Sequence, residues 1–267
     1  MTETTGNRAF TMVGERGWRR GLGNMLRAGF GSWWKTNTWW VMSLLWTLII
    51  NGILAGVLWS EGDLDWEAAV ALYSMFAGLF PPIAVIIIMQ DAIVGEKESG
   101  TAAWVLSKPV SRSSFVLSKL IANSVGMLIT MALIPGIFAF IQISIANGSL
   151  IDPLNFLGGL LVISLNLLYY LVLTLMLGTL FNHRGPVIGI PLALAFGQQL
   201  VFGFLPMLSL ISPWTLIVPV SGLVDLPIAA SLLLGEEPYS IIPLISVAVQ
   251  IVLFIAIALW RFEREEF

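Results

Sequence analysis

The stretch Leu154–Phe181, which reads LNFLGGLLVISLNLLYYLVLTLMLGTLF, contains no charged residue. A helix needs about 20 predominantly apolar residues to cross the hydrocarbon core of a bilayer, and this stretch is longer than that. Its apolar residues run continuously instead of alternating with polar ones, a pattern typical of a membrane helix and not of a barrel strand. The stretch therefore predicts a transmembrane helix.

Five further stretches have the same character, and together they predict an all-α membrane protein with six transmembrane helices. The chain is 57% apolar and 11% charged, whereas a soluble domain is about 45–50% apolar and about 25% charged. This composition disfavours a soluble enzyme, a disordered scaffold and a nucleic-acid-binding domain, so we expect the lipid bilayer and no nucleic acid as a partner. The predicted spans are Trp39–Trp59, Ala68–Gln90, Leu120–Ile145, Leu154–Phe181, Pro186–Leu208 and Ser240–Trp260, within a transmembrane domain over 39–260.

The charges of the chain are distributed unevenly about these spans. All 13 Lys and Arg residues fall in segments on one side, and the loops on the other side carry only acidic residues. Because cytoplasmic loops of membrane proteins are enriched in Lys and Arg, we expect a multi-pass protein of a prokaryotic plasma membrane with both termini in the cytoplasm. The expected cytoplasmic parts are the N-terminal segment 1–38, the segment 91–119, the loop 182–185 and the tail 261–267.

The segment Trp214–Leu234 is apolar enough to suggest a seventh span, but two prolines, a glycine and an aspartate interrupt it. Such residues are tolerated within a membrane only where other groups satisfy the backbone. A seventh span would also place the basic residues of the tail outside. We therefore expect a re-entrant hairpin on the outer side over 209–239, between spans five and six, with an interfacial hairpin or a full span as alternatives.

Residues 17–37 combine apolar side chains at roughly helical spacing with four basic residues. This pattern predicts an interfacial amphipathic helix that lies on anionic headgroups. The alternative is a plain positively charged flank that fixes topology, and four glycines weaken the helix prediction. The apolar positions are Trp18, Leu22, Met25, Leu26, Phe30, Trp33 and Trp34.

The segment Asp91–Lys119, DAIVGEKESGTAAWVLSKPVSRSSFVLSK, is far more polar than a turn between two spans requires. Its residues 96–106 predict a short amphipathic helix, which Pro109 ends because the residue before a proline is displaced from the helical region. Ser111 is a suitable N-cap for the helix that enters span three. A short exposed helix between two spans predicts a surface at which a partner could move both spans.

The same segment resembles the signature of ABC-2-type permeases, the membrane subunits of ABC transporters, in its order of Glu98, Gly100, Thr101, Leu106, Pro109, Arg112 and Lys119. The run DAIVGE at 91–96 is especially similar to permeases that accompany nitrous oxide reductase maturation, although six residues do not describe a substrate path. The six spans, the cytoplasmic termini, the N-terminal interfacial helix and the broken outer hairpin are similar too. The resemblance therefore covers nearly the whole chain.

The resemblance implies that 91–119 is a coupling segment that docks into a separate ATP-binding subunit. Two alternatives stay open: Gly100 and Pro109 shape a turn only, and Glu98 and Arg112 form internal ion pairs or face water. The implied contact residues are Glu96, Glu98, Gly100, Thr101, Trp104, Leu106, Pro109 and Arg112.

The resemblance further implies an exporter built from two permeases, identical or homologous, and two ATP-binding subunits that hold the ATP and Mg²⁺. No GxxxxGK[ST] phosphate loop occurs in the chain, so we expect no nucleotide or other cofactor on this subunit. Alternatives are a non-transporting membrane anchor or sensor of a partner complex, and an ion-coupled secondary carrier. The carrier is disfavoured because no Asp, Glu or His lies deep in a predicted span.

Catalytic and metal-binding patterns are missing from the sequence. There is one histidine and no cysteine, and neither HExxH nor a GxSxG-like serine occurs. We therefore expect no enzyme activity and no metal site. Amides within spans usually form interhelical hydrogen bonds, but Asn166, Gln198 and Gln199 are the candidates for lining a substrate path.

Overall fold

The computed structural model describes residues 17–59, 66–220, 222 and 224–265, and these ranges are helical throughout apart from short connections. One isolated bridge, between Val220 and Val224, is the extent of β-structure within them. The helices are α1 Leu22–Trp34, α2 Thr38–Leu58, α3 Trp66–Glu98, α4 Thr101–Leu106, α5 Arg112–Ala146, α6 Pro153–Leu180, α7 Arg184–Phe204, α8 Trp214–Ile217, α9 Ile228–Leu234 and α10 Ile242–Glu263. Short 3₁₀ helices occupy Gly17–Arg19 and Pro206–Ile211.

Six of these helices, α2, α3, α5, α6, α7 and α10, are long and apolar enough to cross a membrane. They confirm the six predicted spans. Two helices are longer than predicted, since α3 continues through a π-helical turn at Asp91–Gly95 and α5 begins at Arg112. Both extensions are polar, and interhelical ion pairs described below hold them.

Helix α6 is the centre of the bundle, and most of its span is buried, whereas α2, α7 and α10 keep largely exposed apolar faces. Glycines let neighbours approach α6 closely. A Cβ at Gly159 would fall 2.4 Å from Leu233 of α9, and a Cβ at Gly178 would fall 3.2 Å from Ile93 of α3. Exposed apolar faces are what a chain surrounded by lipid requires.

The predicted N-terminal helix is present as α1, and one side of it packs against α5. Trp33 is buried there over Gly126, and its indole Nε1 donates to Asn123 Oδ1 at 3.0 Å. A Cβ at Gly29 would fall 2.7 Å from Ala122, so this glycine permits close packing where the sequence suggested only a weakened helix. The position of α1 at the membrane surface stays a prediction, and the part of 1–38 before residue 17 lies outside the described ranges.

The segment between spans five and six folds as two short helices, α8 and α9, joined by a tight turn. Val220 and Val224 exchange backbone hydrogen bonds of 2.9 and 2.8 Å across that turn. Ile217 and Ile228 are buried, and both helices pack against α3 and α6. Helices of 4 and 7 residues are too short to cross a bilayer, so the described residues of this segment form no continuous seventh spanning helix. The depth of this hairpin in the membrane stays a prediction.

Candidate functional site

The polar segment between α3 and α5 is not one helix over 96–106, and that prediction was wrong. The helical conformation of α3 runs to Glu98, and Gly100 then adopts the left-handed conformation at φ +73° before α4 begins. Left-handed backbone is strained for residues with a Cβ, so the glycine ends α3 and turns the chain into α4. Helix α4 ends at Leu106, before Pro109, as predicted.

Helix α4 presents an apolar side chain to its surroundings. The Trp104 side chain is 65% exposed, with the Lys108 ammonium 5.2 Å from its ring centroid. Thr101 and Pro109 are also exposed, and Leu106 is half-buried. Ala102 is completely buried and anchors the helix to the bundle. A cavity of about 320 Å³ adjoins the helix and is lined by Ala103, Leu106, Ser107, Val110 and Arg112.

The loop after α4 is fixed by the N-terminal turn. Ser111 caps α5 as predicted, accepting from the Ser114 backbone N–H at 3.1 Å. Its own backbone N–H donates to the Arg20 carbonyl at 2.9 Å, and the hydroxyls of Ser111 and Ser114 both donate to the Trp18 carbonyl. Helix α4 is therefore anchored to the bundle by Ala102, and the loop after it is held by this cluster.

The charged candidates of this segment contact other helices of the same chain. Glu96 pairs with Lys119 of α5. Glu98 Oε2 lies 2.9 Å from Arg184 Nε at the start of α7. Arg112 donates to the carbonyl of Glu263 at the end of α10 at 2.7 Å. The internal ion pair considered for Glu98 is therefore present.

Charged groups beyond the predicted contact residues extend this cluster, and Arg261 pairs with Glu265 within it. Arg184 also pairs with Asp91 at 3.0 Å, so it contacts two carboxylates of α3. Lys97 Nζ lies 3.0 Å from Glu265 Oε1, with side chains only 8% and 10% exposed. Contacts between residues 82 to 168 positions apart have no local sequence signal. The single arginine of the short loop 182–185 was the one sequence feature that could have suggested an ion pair there.

These contacts bring the ends of α3 and α10 and the starts of α5 and α7 together at one end of the bundle. The charge distribution predicts the same grouping on one side of the membrane. The cytoplasmic assignment of that side stays a prediction.

Asn166, a candidate for the substrate path, is completely buried in α6 and donates from Nδ2 to the Gly78 carbonyl of α3 at 2.8 Å. In a regular helix that carbonyl would accept the N–H of residue 82, but Pro82 has none. The Asn166 amide therefore replaces the N–H donor that α3 lacks at Pro82. This is a structural role between two helices.

Gln198 and Gln199 lie on different faces of α7. Gln198 is buried, donates to the Tyr170 hydroxyl at 3.2 Å and accepts from the Ser212 hydroxyl. It lines a mostly apolar cavity of about 570 Å³ together with Tyr169, Ser212 and Gln250. Gln199 is exposed and lines a separate cavity of about 220 Å³ beside Trp214. The sequence did not identify Tyr170 and Ser212, the hydrogen-bond partners of Gln198, because neither residue belongs to a recognisable sequence motif.

Residues 35–267 match the family described as ABC-2 family transporter protein. The chain is also 26% identical over 175 residues to the probable ABC transporter permease protein NosY of Stutzerimonas stutzeri, a match covering 61% of this chain and 62% of that protein. It is 31% identical over 98 residues to the NosY protein of Pseudomonas aeruginosa, covering 36% of this chain and 35% of that protein. The matched regions thus span less than two thirds of either relative. Because the family match extends over nearly the whole chain, this multi-pass membrane protein belongs to the ABC-2 family of transporter proteins.

Proposed function

We propose that this chain is the permease subunit of an ATP-driven exporter, energised by a separate ATP-binding subunit that docks on the segment 91–119. The complex contains two permeases, identical or homologous, and two ATP-binding subunits. The observation that carries the proposal is α4, a short helix that exposes Trp104 while Ala102 is buried in the bundle and the following loop is held by Ser111. Similarity to probable ABC transporter permease proteins supports the same assignment.

The geometry of α4 suits docking because its apolar anchor is pre-organised. Large aromatic side chains that enter a pocket on the partner dominate many protein interfaces. The backbone around Trp104 is already ordered by the burial of Ala102 and the hydrogen bonds of Ser111, so docking would not require folding of the segment. The adjoining cavity, rimmed by Arg112, could receive a side chain of the ATP-binding subunit in return.

The source of energy follows from what the spans contain. The predicted spans hold no Asp, Glu or His, the residues on which ion-coupled carriers usually depend. The chain also lacks a phosphate loop, so ATP hydrolysis belongs to the partner. The cavity beside Gln198 offers neutral hydrogen-bonding groups within an apolar lining, and we assign the substrate path to that side of α7.

The test is the affinity of the ATP-binding subunit for the permease in lipid nanodiscs, measured by titration. Trp104→Ala is expected to leave the permease folded and to remove about 2 kcal/mol of binding energy, which is roughly a thirtyfold loss of affinity. Trp59→Ala is the matched control, because Trp59 is 56% exposed and follows α2, far from α4 in the sequence.

Equal affinities of Trp104→Ala and Trp59→Ala would reject α4 as the docking helix. A permease that co-purifies with no ATP-binding subunit would reject the proposed function and favour an anchor or an ion-coupled carrier. ATP-dependent transport into inside-out vesicles, and not into right-side-out vesicles, is the result expected of an exporter.

A further inference from the structure

The last turn of α3 carries three consecutive charged residues, the triplet Glu96–Glu98, and each member pairs with a different transmembrane helix. Glu96 pairs with Lys119 of α5. Lys97 pairs with Glu265, two residues after the end of α10, and it also donates to the Thr179 carbonyl at the end of α6 and to Asn182. Glu98 pairs with Arg184 of α7. Successive residues of a helix point about 100° apart, so three adjacent side chains can reach three surrounding helices.

The signs of the triplet fit its partners in one register only. Its charges alternate as minus, plus, minus, and the facing charges on α5, α10 and α7 are plus, minus, plus. A displacement of α3 by one residue against its neighbours would bring like charges together. The pairs therefore fix the axial position of the end of α3 against three helices at once.

The partner charges are poorly placed for their own helices. Arg184 is the first residue of α7, where the positive end of the helix dipole repels a cation. Glu263 and Glu265 stand at the end of α10, where the negative end repels carboxylates. The start of α7 is thus stabilised by contacts of Arg184 with Asp91 and Glu98, and Glu265 is stabilised by Lys97 of α3 together with Arg261 of its own helix end.

The triplet also stands immediately before the docking helix. Glu98 and Thr101, the first residue of α4, are separated only by Ser99 and Gly100. A displacement of α4 therefore reaches α3 directly through this two-residue turn. No ion pair of the described residues connects the triplet with α2.

We propose that the triplet Glu96–Glu98 transmits the displacement of α4 to three spans, with Glu96 positioning α5, Lys97 positioning α10, and Glu98 positioning α7. The inference rests on the proposed function, since it takes α4 as the helix that an ATP-binding subunit moves. It makes the triplet residues positioning residues of the coupling step and not contacts with the ATP-binding subunit.

The first test measures hydrogen exchange of the permease alone in nanodiscs. Lys97→Met is expected to raise exchange of residues 261–265 about tenfold, because it removes a charge-assisted hydrogen bond to Glu265 in a largely buried site and leaves that carboxylate with the Arg261 pair within α10. Arg184→Gln removes both bonds from α7 to α3, and we expect exchange of 184–188 to rise about threefold, since that pair is half-exposed. Glu96→Gln is expected to raise hydrogen exchange of residues 112–119, because it removes the ion pair with Lys119. Glu67→Gln, an exposed glutamate in the first turn of α3, is the matched control and should change none of these segments.

The second test measures transmission in the complex with the ATP-binding subunit that co-purifies with the permease. The chain has no cysteine, so single cysteines can be placed at Leu150 after α5, Met207 after α7 and Ile241 before α10, all exposed sites. In the parent, ATP with vanadate should change the rate at which a water-soluble maleimide labels each site. Each variant should abolish the change in labelling rate at one site only. Glu96→Gln should do so at position 150, Arg184→Gln at position 207 and Lys97→Met at position 241.

A charge exchange distinguishes transmission from simple damage. Glu96→Lys combined with Lys119→Glu restores the ion pair with reversed signs and should restore the response at 150. An effect of each variant on all three sites, or a response that survives every variant, would overturn the inference while leaving the docking proposal intact. A parent that binds no ATP-binding subunit would overturn the proposed function and the transmission role together.

Discussion

The most direct test of the packing concerns the amide of Asn166. Its Nδ2 donates to the Gly78 carbonyl at 2.8 Å, at the place where Pro82 leaves α3 without a donor. Asn166→Leu keeps the side-chain size and removes the donor. If the amide serves the proline, the loss of stability should depend on whether residue 82 is a proline.

The magnitude follows from the environment of the two groups. A buried acceptor left without a donor costs about 1–3 kcal/mol, whereas interhelical hydrogen bonds in membrane proteins average about 0.6 and reach about 1.7 kcal/mol. Asn166 Oδ1 is buried without a hydrogen-bond partner, so its removal stabilises the fold and offsets part of the loss caused by the missing donor. We expect Asn166→Leu to lower the free energy of unfolding by about 1 kcal/mol. In a Pro82→Ala background the restored N–H of residue 82 reaches the carbonyl, and the same change should cost less than about 0.5 kcal/mol.

The assay is equilibrium unfolding in mixed micelles of dodecyl sulfate and dodecyl maltoside, with the four variants of the cycle measured together. Asn51→Leu is the matched control, because Asn51 is equally buried but donates to the Pro135 carbonyl at 3.1 Å, away from Pro82. Asn51→Leu should lower the free energy of unfolding by the same amount in the parent and in the Pro82→Ala background. An equal cost of Asn166→Leu in both backgrounds would refute the link between the amide and the proline.

Two further predictions concern orientation and the N-terminal helix. A cysteine at Ser149 should be labelled by a membrane-impermeant maleimide from outside the cell and a cysteine at Ser107 should not; the reverse pattern would invert the topology. Gly126→Leu should detach α1 from α5 and speed trypsin cleavage after the exposed Arg27, because a Cβ there falls 2.3 Å from the Trp33 ring and an unanchored α1 unfolds more readily. Gly52→Leu is the control and should leave tryptic cleavage unchanged, because there is open space around its Cβ. Equal cleavage of both variants would contradict the packing of α1 against α5.

The spans could be predicted from the sequence because crossing a membrane is a requirement on length and polarity, and both are local properties. The Ser111 cap was predictable for the same reason, since a capping serine acts on a backbone N–H three residues away. The break at Gly100 was not, because a glycine within a polar helix is only a weak signal against continuation. Its left-handed conformation is evident only in the structure.

The electrostatic cluster could not be predicted because its members are distant along the chain. Glu98 and Arg184 were both visible as charges near helix ends, but 86 residues separate them. The glutamines show a related difficulty. Gln198 and Gln199 are adjacent in sequence, and only the rotation of α7 in the bundle decides that one meets Tyr170 while the other is exposed.

Contacts from residues 17–20 and from Glu265 order the segment on which we propose that the ATP-binding subunit docks. The N-terminal turn binds the loop after α4 through the Trp18 and Arg20 carbonyls, and the C-terminal Glu265 binds Lys97 before α4. Ordering a free loop costs about 1–2 kcal/mol per residue, a cost that would otherwise fall on association with the partner. Because these contacts order the segment within this chain, the proposed docking would not have to meet this ordering cost. Removal of either end should therefore weaken coupling even where Trp104 is untouched.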